Sequence, residues 1–241
     1  MKVQTIIMVI VILLLLYVVM KYVLNDSNTL TGLISGTEVQ TIVAKDLAKD
    51  DSGLQTSNYA YSIWYYIDDW NYNYDNVKPL FERLSIQPAN TPVLETIASM
   101  PGVYFTANTN DLKVLVKTGT TSGTSETATV ENVPIQKWTN VTISVYGQSL
   151  DIYLDGKLVQ TKPLSNIAYI DPNASVYITP NGGFSGWTSK FAYYPNALNP
   201  QQAWDIYSAG YGSSWLSNLF GKYSVKIAFL ENGAEDSSFT F

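Results

Sequence analysis

The sequence predicts an all-β sandwich of two antiparallel sheets, of jelly-roll type, with one short helix and a single N-terminal transmembrane helix ahead of it. Three observations predict this. β-branched and aromatic residues recur in short runs, broken by turn residues at roughly 8–12-residue spacing. Helical periodicity surfaces at one place in the body of the chain, and one long uncharged apolar stretch stands at its start.

Residues 6–20, IIMVIVILLLLYVVM, carry no charge, and Tyr22 to Leu24 continue the run past Lys21. At about 1.5 Å per residue, residues 5–24 cross a hydrocarbon core of roughly 30 Å. Lys21 can snorkel to the headgroups. A cleavable signal peptide would also begin with a basic residue and an apolar centre, but the exit, KYVLNDSN, offers no small-x-small cleavage site. Residues 1–24 are therefore expected to be a retained, single-pass membrane anchor. Lys2 and Lys21 flank it almost evenly, which leaves its orientation open. Residues 25–37, NDSNTLTGLISGT, are polar and contain glycine, as a flexible stalk would. Residues 38–241 form the domain.

Within the domain the expected strands are 38–44, 59–67, 80–86, 103–107, 112–117, 127–133, 138–146, 150–154, 157–161, 175–179, 189–194 and 223–230. Several alternate at period two. Val141, Ile143 and Val145 share one face, as do Leu150, Ile152 and Leu154, with Asp151, Tyr153 and Asp155 opposite. Such strands have one core face and one wetter face. Residues 147–149 and the pair Asp155-Gly156 supply hairpin turns, the latter tolerating positive φ at low cost. Residues 119–125, GTTSGTS, read as an exposed loop. The helix is signalled by Asn199 as N-cap, Pro200 in the first turn, Gln202 completing a capping box and Gly210 as terminator. Ala203, Trp204, Ile206 and Tyr207 give it an apolar stripe.

Composition excludes several functions. The chain has no histidine and no cysteine. Imidazole-based triads, His or thiolate metal sites, thiol nucleophiles and disulfides are therefore all ruled out. Twelve of the fourteen basic residues and all twenty acidic ones follow Leu24, and Arg83 is the only arginine. A nucleic-acid binder needs clustered cations to displace counterions, so nucleic acid is not an expected partner. Three N-x-S/T triplets occur, at Asn25, Asn140 and Asn173; Asn140 falls in a strand expected to be buried.

Two segments carry a family resemblance. The first is WTNVTISVYGQSLDIYLDGKLVQ, in which Trp138, an alternating strand, a tight turn and then Tyr153, Asp155, Gly156 and Lys157 follow in order. The second is GFSGWTSKFAYYPNALNPQQAWDIYSAG, with Phe184, Gly186, Tyr194, Ala197, Leu198, Ile206 and Tyr207. Together they resemble the concanavalin A-like lectin/glucanase superfamily in its laminin G-like branch. The wider chain, through YSIWYYIDDW (61–70) and YIDPNASVYITPNGGFSGW (169–187), resembles membrane-anchored jelly-roll proteins of large double-stranded DNA viruses. That resemblance implies a virion component, such as a minor capsid protein linking an internal membrane to the capsid shell.

Glycosidases of the superfamily set an acid and a nucleophile on one strand face as E-x-D-x-x-E or E-x-D-x-E. None of Glu38, Glu82, Glu95, Glu126, Glu131, Glu231 or Glu235 begins such a motif. The protein is expected to be non-enzymatic, without a cofactor, acting on assembly partners by surface contact. The alternative is a membrane-tethered carbohydrate-binding module. Its candidate site is Asp69, Trp70, Tyr72 and Tyr74, where alternating aromatics would form a stacking platform for sugar. Laminin G-like domains can hold calcium through Asp side chains, and Asp68, Asp69 and Asp75 are the residues here that such a site would use. Trp215, Leu216, Leu219 and Phe220 are apolar in an expected loop or short turn, which either docks on the sandwich or forms an exposed patch for a partner or a bilayer. Trp138, Trp187 and Trp204 are expected to be core anchors.

Overall fold

The computed structural model describes residues 28–50, 53, 55–85, 100–120, 123–212, 226–231 and 234–240, the last two ranges in backbone alone. The chain divides into two units. One, Asn28–Tyr211, is a two-sheet sandwich. The other contains an antiparallel hairpin of Lys226–Glu231 with Ala234–Thr240. The expected anchor at 5–24 and the apolar patch Trp215, Leu216, Leu219 and Phe220 lie outside the described residues. Among the described residues no helix is long and apolar enough to cross a membrane.

The first sheet runs β1 (Ile34–Ser35), β12 (Ser185–Tyr194), β3 (Tyr59–Asp69), β8 (Thr139–Tyr146), β9 (Ser149–Leu154) and β10 (Lys157–Pro163). The second runs β2 (Gln40–Ile42), β11 (Ser175–Ile178), β4 (Lys78–Leu84), β5 (Gly102–Phe105), β6 (Leu112–Lys117) and β7 (Ser125–Val130). Every pairing in both sheets is antiparallel. The observed strands follow the expected ones to within a few residues at their ends. β1, in the first sheet, and Ala234–Thr240 of the hairpin are the two strands that were not expected. β1 falls in the expected stalk, whose described part, from Asn28 on, is laid along β12. Leu30 N–H donates to Phe191 O at 2.7 Å, Ile34 pairs with Thr188, and Gly36 N–H donates to Gly186 O at 2.8 Å. Unpaired backbone groups of β12, at the sheet edge, are satisfied in this way.

Period-two alternation builds the core. Tyr61, Ile63, Tyr65 and Ile67 of β3, with Val141, Ile143 and Val145 of β8, meet Phe81, Val103, Phe105, Val114 and Val116 of the second sheet. The aromatics contact at their edges and at tilts: Tyr61–Phe81 at 5.4 Å, Tyr65–Phe105 at 5.0 Å and Phe81–Phe191 at 5.2 Å. Arg83 is buried among them. Its guanidinium donates to Tyr61 Oη (3.1 Å), to Ala174 O and Asp171 O (3.2 Å each) and to Gln55 Oε1. A buried cation needs such a full set of acceptors.

The outer face of the first sheet is drier than its sequence suggests. Ser62, Asn140, Thr142 and Ser144 point there, yet all are buried; the first three bond to one another, with Asn140 Nδ2–H donating to Ser62 Oγ at 3.0 Å. The cover is α1 (Pro200–Ser208). Its capping box is formed as expected, Asn199 Oδ1 accepting from Gln202 N–H and Gln202 Oε1 from Asn199 N–H, each at 2.9 Å. Trp64 stacks on Tyr207 at 5.6 Å, and Ser144 Oγ donates to Leu198 O at 3.1 Å. The Asp155-Gly156 turn has φ of 48° and 73°, as a two-residue hairpin loop requires. The expected tryptophan anchors are corrected: Trp187 and Trp204 are 47% and 44% exposed and Trp138 is half-buried. They lie outside the sandwich interior, and Trp138 stacks on Tyr211 at 4.4 Å and 10°.

Candidate functional site

Three loops meet at the end of the sandwich where β3 finishes: 70–77 between β3 and β4, 106–111 between β5 and β6, and 131–138 between β7 and β8. They enclose an open cleft of about 530 Å³. Trp70 lines it from the first loop, Asn108, Thr109, Asn110 and Asp111 from the second, and Glu131, Asn132 and Ile135 from the third.

Backbone geometry at the end of β3 turns Trp70 inward. β3 stops at Asp69, and Asp69 Oδ1 accepts from Asn71 N–H (2.9 Å) and Asn71 Nδ2–H (3.2 Å), closing a local turn. The half-buried indole packs on the end of the core, edge-on to Phe105 at 6.2 Å. Behind it the fully buried Lys78 ammonium lies 4.7 Å from the ring centroid. Lys78 Nζ also donates to Asn73 O, Asn76 O and Ala107 O, each at 3.3 Å, and so ties the first loop to the second. Burial lowers the Lys78 pKa, with Asp75 drawing it back up. Three carbonyls and an indole face are the solvation that lets this cation stay charged.

The opposite wall is a polar lattice. Thr109 Oγ1–H donates to Asp111 Oδ2 at 2.6 Å, and Asn132 N–H to Asp111 Oδ1 at 3.0 Å. The Thr109 bond first, then the Asn132 amide and nearby Lys113, hold the Asp111 carboxyl below the usual carboxylate range. Asn110 Nδ2–H donates to Val133 O at 2.9 Å and Val133 N–H to Asn110 O at 2.8 Å, clamping the second loop to the third. Gln136 N–H reaches Ile67 O at 2.8 Å, which fixes the third loop on β3. Chemically the cleft offers one aromatic wall, carboxylate acceptors and side-chain amides.

Of the four residues expected to form a platform, only Trp70 lines the cleft. Tyr72 and Tyr74 are 40% and 55% exposed and belong to the turn beyond it, where Asn73 and Asp75 take positive φ of 55° and 61°. Those two left-handed residues break the alternation that would have put Trp70, Tyr72 and Tyr74 on one strand face. Asp68, Asp69 and Asp75 do not assemble into a calcium site; among the described residues no three acidic side chains are placed to hold a metal. Asn108, Asp111, Glu131 and Asn132 were not foreseen. Asn140 is wholly buried, while Asn173 is exposed in a turn.

The sequence profile of the concanavalin A-like lectin/glucanases superfamily matches residues 42–203. The chain belongs to that superfamily. No curated protein sequence matches it. Its fold is similar to that of the receptor binding domain of a botulinum neurotoxin C/D mosaic serotype (TM-score 0.55, 12% identity, 78% of this chain and 45% of the other). It is also similar to a botulinum neurotoxin serotype D ligand binding domain solved in complex with N-acetylneuraminic acid (TM-score 0.53, 13% identity, 78% and 48%). The chain spans about half the length of these solved structures. At such identities the likeness is one of fold. The matched residues take in most of both sheets, the Asp155-Gly156 turn, the start of the capped helix and the three loops of the cleft.

Proposed function

We propose that the sandwich is a non-enzymatic carbohydrate-recognition module and that the Trp70 cleft is its binding site. The observation that carries this reading is the pairing of one half-exposed indole with a wall of amides and carboxylates in a single open cleft. A pyranose presents an apolar C–H face and a rim of hydroxyls. Stacking on Trp70 suits the first, and acceptors such as Asp111 and amides such as Asn108 and Asn132 suit the second. Asp111 is an acceptor held ionised by its donors, not a proton donor of the kind glycoside hydrolysis needs. The fold neighbour solved with N-acetylneuraminic acid supports the class of ligand. The test is a glycan array probed with the full chain and with Trp70→Phe. Saturable signals that Trp70→Phe abolishes support the proposal; signals unchanged by the substitution would place binding elsewhere.

A second reading concerns presentation. We propose that residues 5–24 hold the sandwich at a membrane, as the uncharged run from Ile6 to Met20 suggests. A virion role, with the module braced against a capsid shell, rests on the sequence resemblance alone. Carbonate extraction of membranes, followed by cross-linking in intact particles, tests both: extraction into the supernatant would remove the anchor, and the absence of shell neighbours would remove the virion role.

A further inference from the structure

Resting on the carbohydrate reading, we infer that the cleft selects sugars without acidic groups, neutral or amino-substituted, and rejects sialylated and other anionic ones. The argument is one of charge placement. Two carboxylates, Asp111 and Glu131, line the cleft, one on each of the two loops facing Trp70. Asp111 is fixed: its oxygens are engaged by Thr109 Oγ1–H and Asn132 N–H, so it cannot swing away from an approaching anion. No lysine or arginine is among the lining residues. Lys78 lies closest behind Trp70, but it is fully buried and its ammonium is committed to Asn73 O, Asn76 O and Ala107 O. Arg83, the only arginine, is sequestered in the core with its donors on Tyr61, Gln55, Ala174 and Asp171. Lys113 acts on Asp111 from β6 and offsets part of its charge. That leaves a cleft of negative sign, where a ligand carboxylate meets like charge with no bidentate arginine to receive it. Hydroxyl and ammonium donors meet acceptors. The fold neighbour that holds an acidic sugar therefore shares the scaffold with this chain and not the ligand charge.

The experiment is a titration of the full chain with four probes: lactose, 3′-sialyllactose, N-acetylchitotriose and the fully deacetylated glucosamine trimer. It is run at low and physiological salt, on the natural chain, on Trp70→Phe and on the double variant Asp111→Asn/Glu131→Gln. The expected result is that sialyllactose binds at least about tenfold more weakly than lactose, a difference that shrinks with salt and falls to within about twofold in the double variant. The glucosamine trimer should bind more tightly than its acetylated form in the natural chain alone. Trp70-dependent binding with sialyllactose equal to or tighter than lactose would overturn the charge inference and leave the carbohydrate reading standing. No Trp70-dependent binding of any probe would overturn both.

Discussion

Glu82 gives the domain a pH dependence opposite to the one carboxylates usually impart. It sits in β4, in register with Tyr177 of β11 and Gly102 of β5, and is 1% exposed with Oε2 lacking any hydrogen-bond donor. Burial pushes its pKa from 4.5 up to about 7. Below pH 4.5 the folded and unfolded chains both carry the proton, and the group is neutral in the balance. Between pH 4.5 and 7 the unfolded chain releases the proton while the folded chain keeps it, so stability falls as pH rises. Above pH 7 the loss is complete, and at about 1.36 kcal/mol per pKa unit it amounts to roughly 3 kcal/mol. Glu82→Gln cannot ionise and is spared this loss. Chemical denaturation of both proteins at pH 5 and pH 8 isolates the effect, because any packing difference between Glu and Gln appears equally at both values. The variant should gain about 2–3 kcal/mol on the natural protein between the two. A stability difference that is the same at pH 5 and pH 8, or that moves in favour of the natural chain, would refute the reasoning.

Three further outcomes follow from the packing. Gly156→Ala places a Cβ 3.0 Å from Trp204 Cα and from Tyr207 Cβ at a residue with φ of 73°, so α1 must lift; thermal melts should show a loss of about 1–3 kcal/mol. Arg83→Ala leaves Tyr61 Oη and two backbone carbonyls without their donor and opens a cavity between the sheets, and denaturant titration should show a loss of at least about 3 kcal/mol. Lys78→Met removes the ammonium that joins Asn73 and Asn76 to Ala107, and the affinity of the cleft for neutral sugar should fall by about tenfold as the two loops separate, read by the same titration used for the charge series.

What the sequence made legible was whatever local chemistry determines. Val141, Ile143 and Val145 announce a strand because the core admits one face only, and Asp155-Gly156 announces its turn because few other residues accept two positive φ values. The capping box of Asn199 and Gln202 is equally local. β1 escaped because Ile34–Ser35 is two residues long in a polar, glycine-containing stretch and gains strand geometry only from β12. Asn140, Thr142 and Ser144 read as a wet face because nothing nearby in the chain shows that α1 will cover them. The cleft was half legible. Trp70 stood out by residue type, but its partners come from loops joined through tertiary register: Asp111 meets Asn132 because β6 pairs Leu112 with Val130. Polar residues in two separate loops carry no signal that they will converge.

The most direct test of the account is to see which tryptophan a sugar touches. The chain has six, and 5-fluorotryptophan incorporation gives each its own ¹⁹F resonance, with Trp70 assigned by its absence in Trp70→Phe. Titration with N-acetylchitotriose should move the Trp70 line saturably and leave those of the exposed Trp187 and Trp204 in place. A saturable shift at Trp187 or Trp204 with Trp70 unmoved would contradict the account.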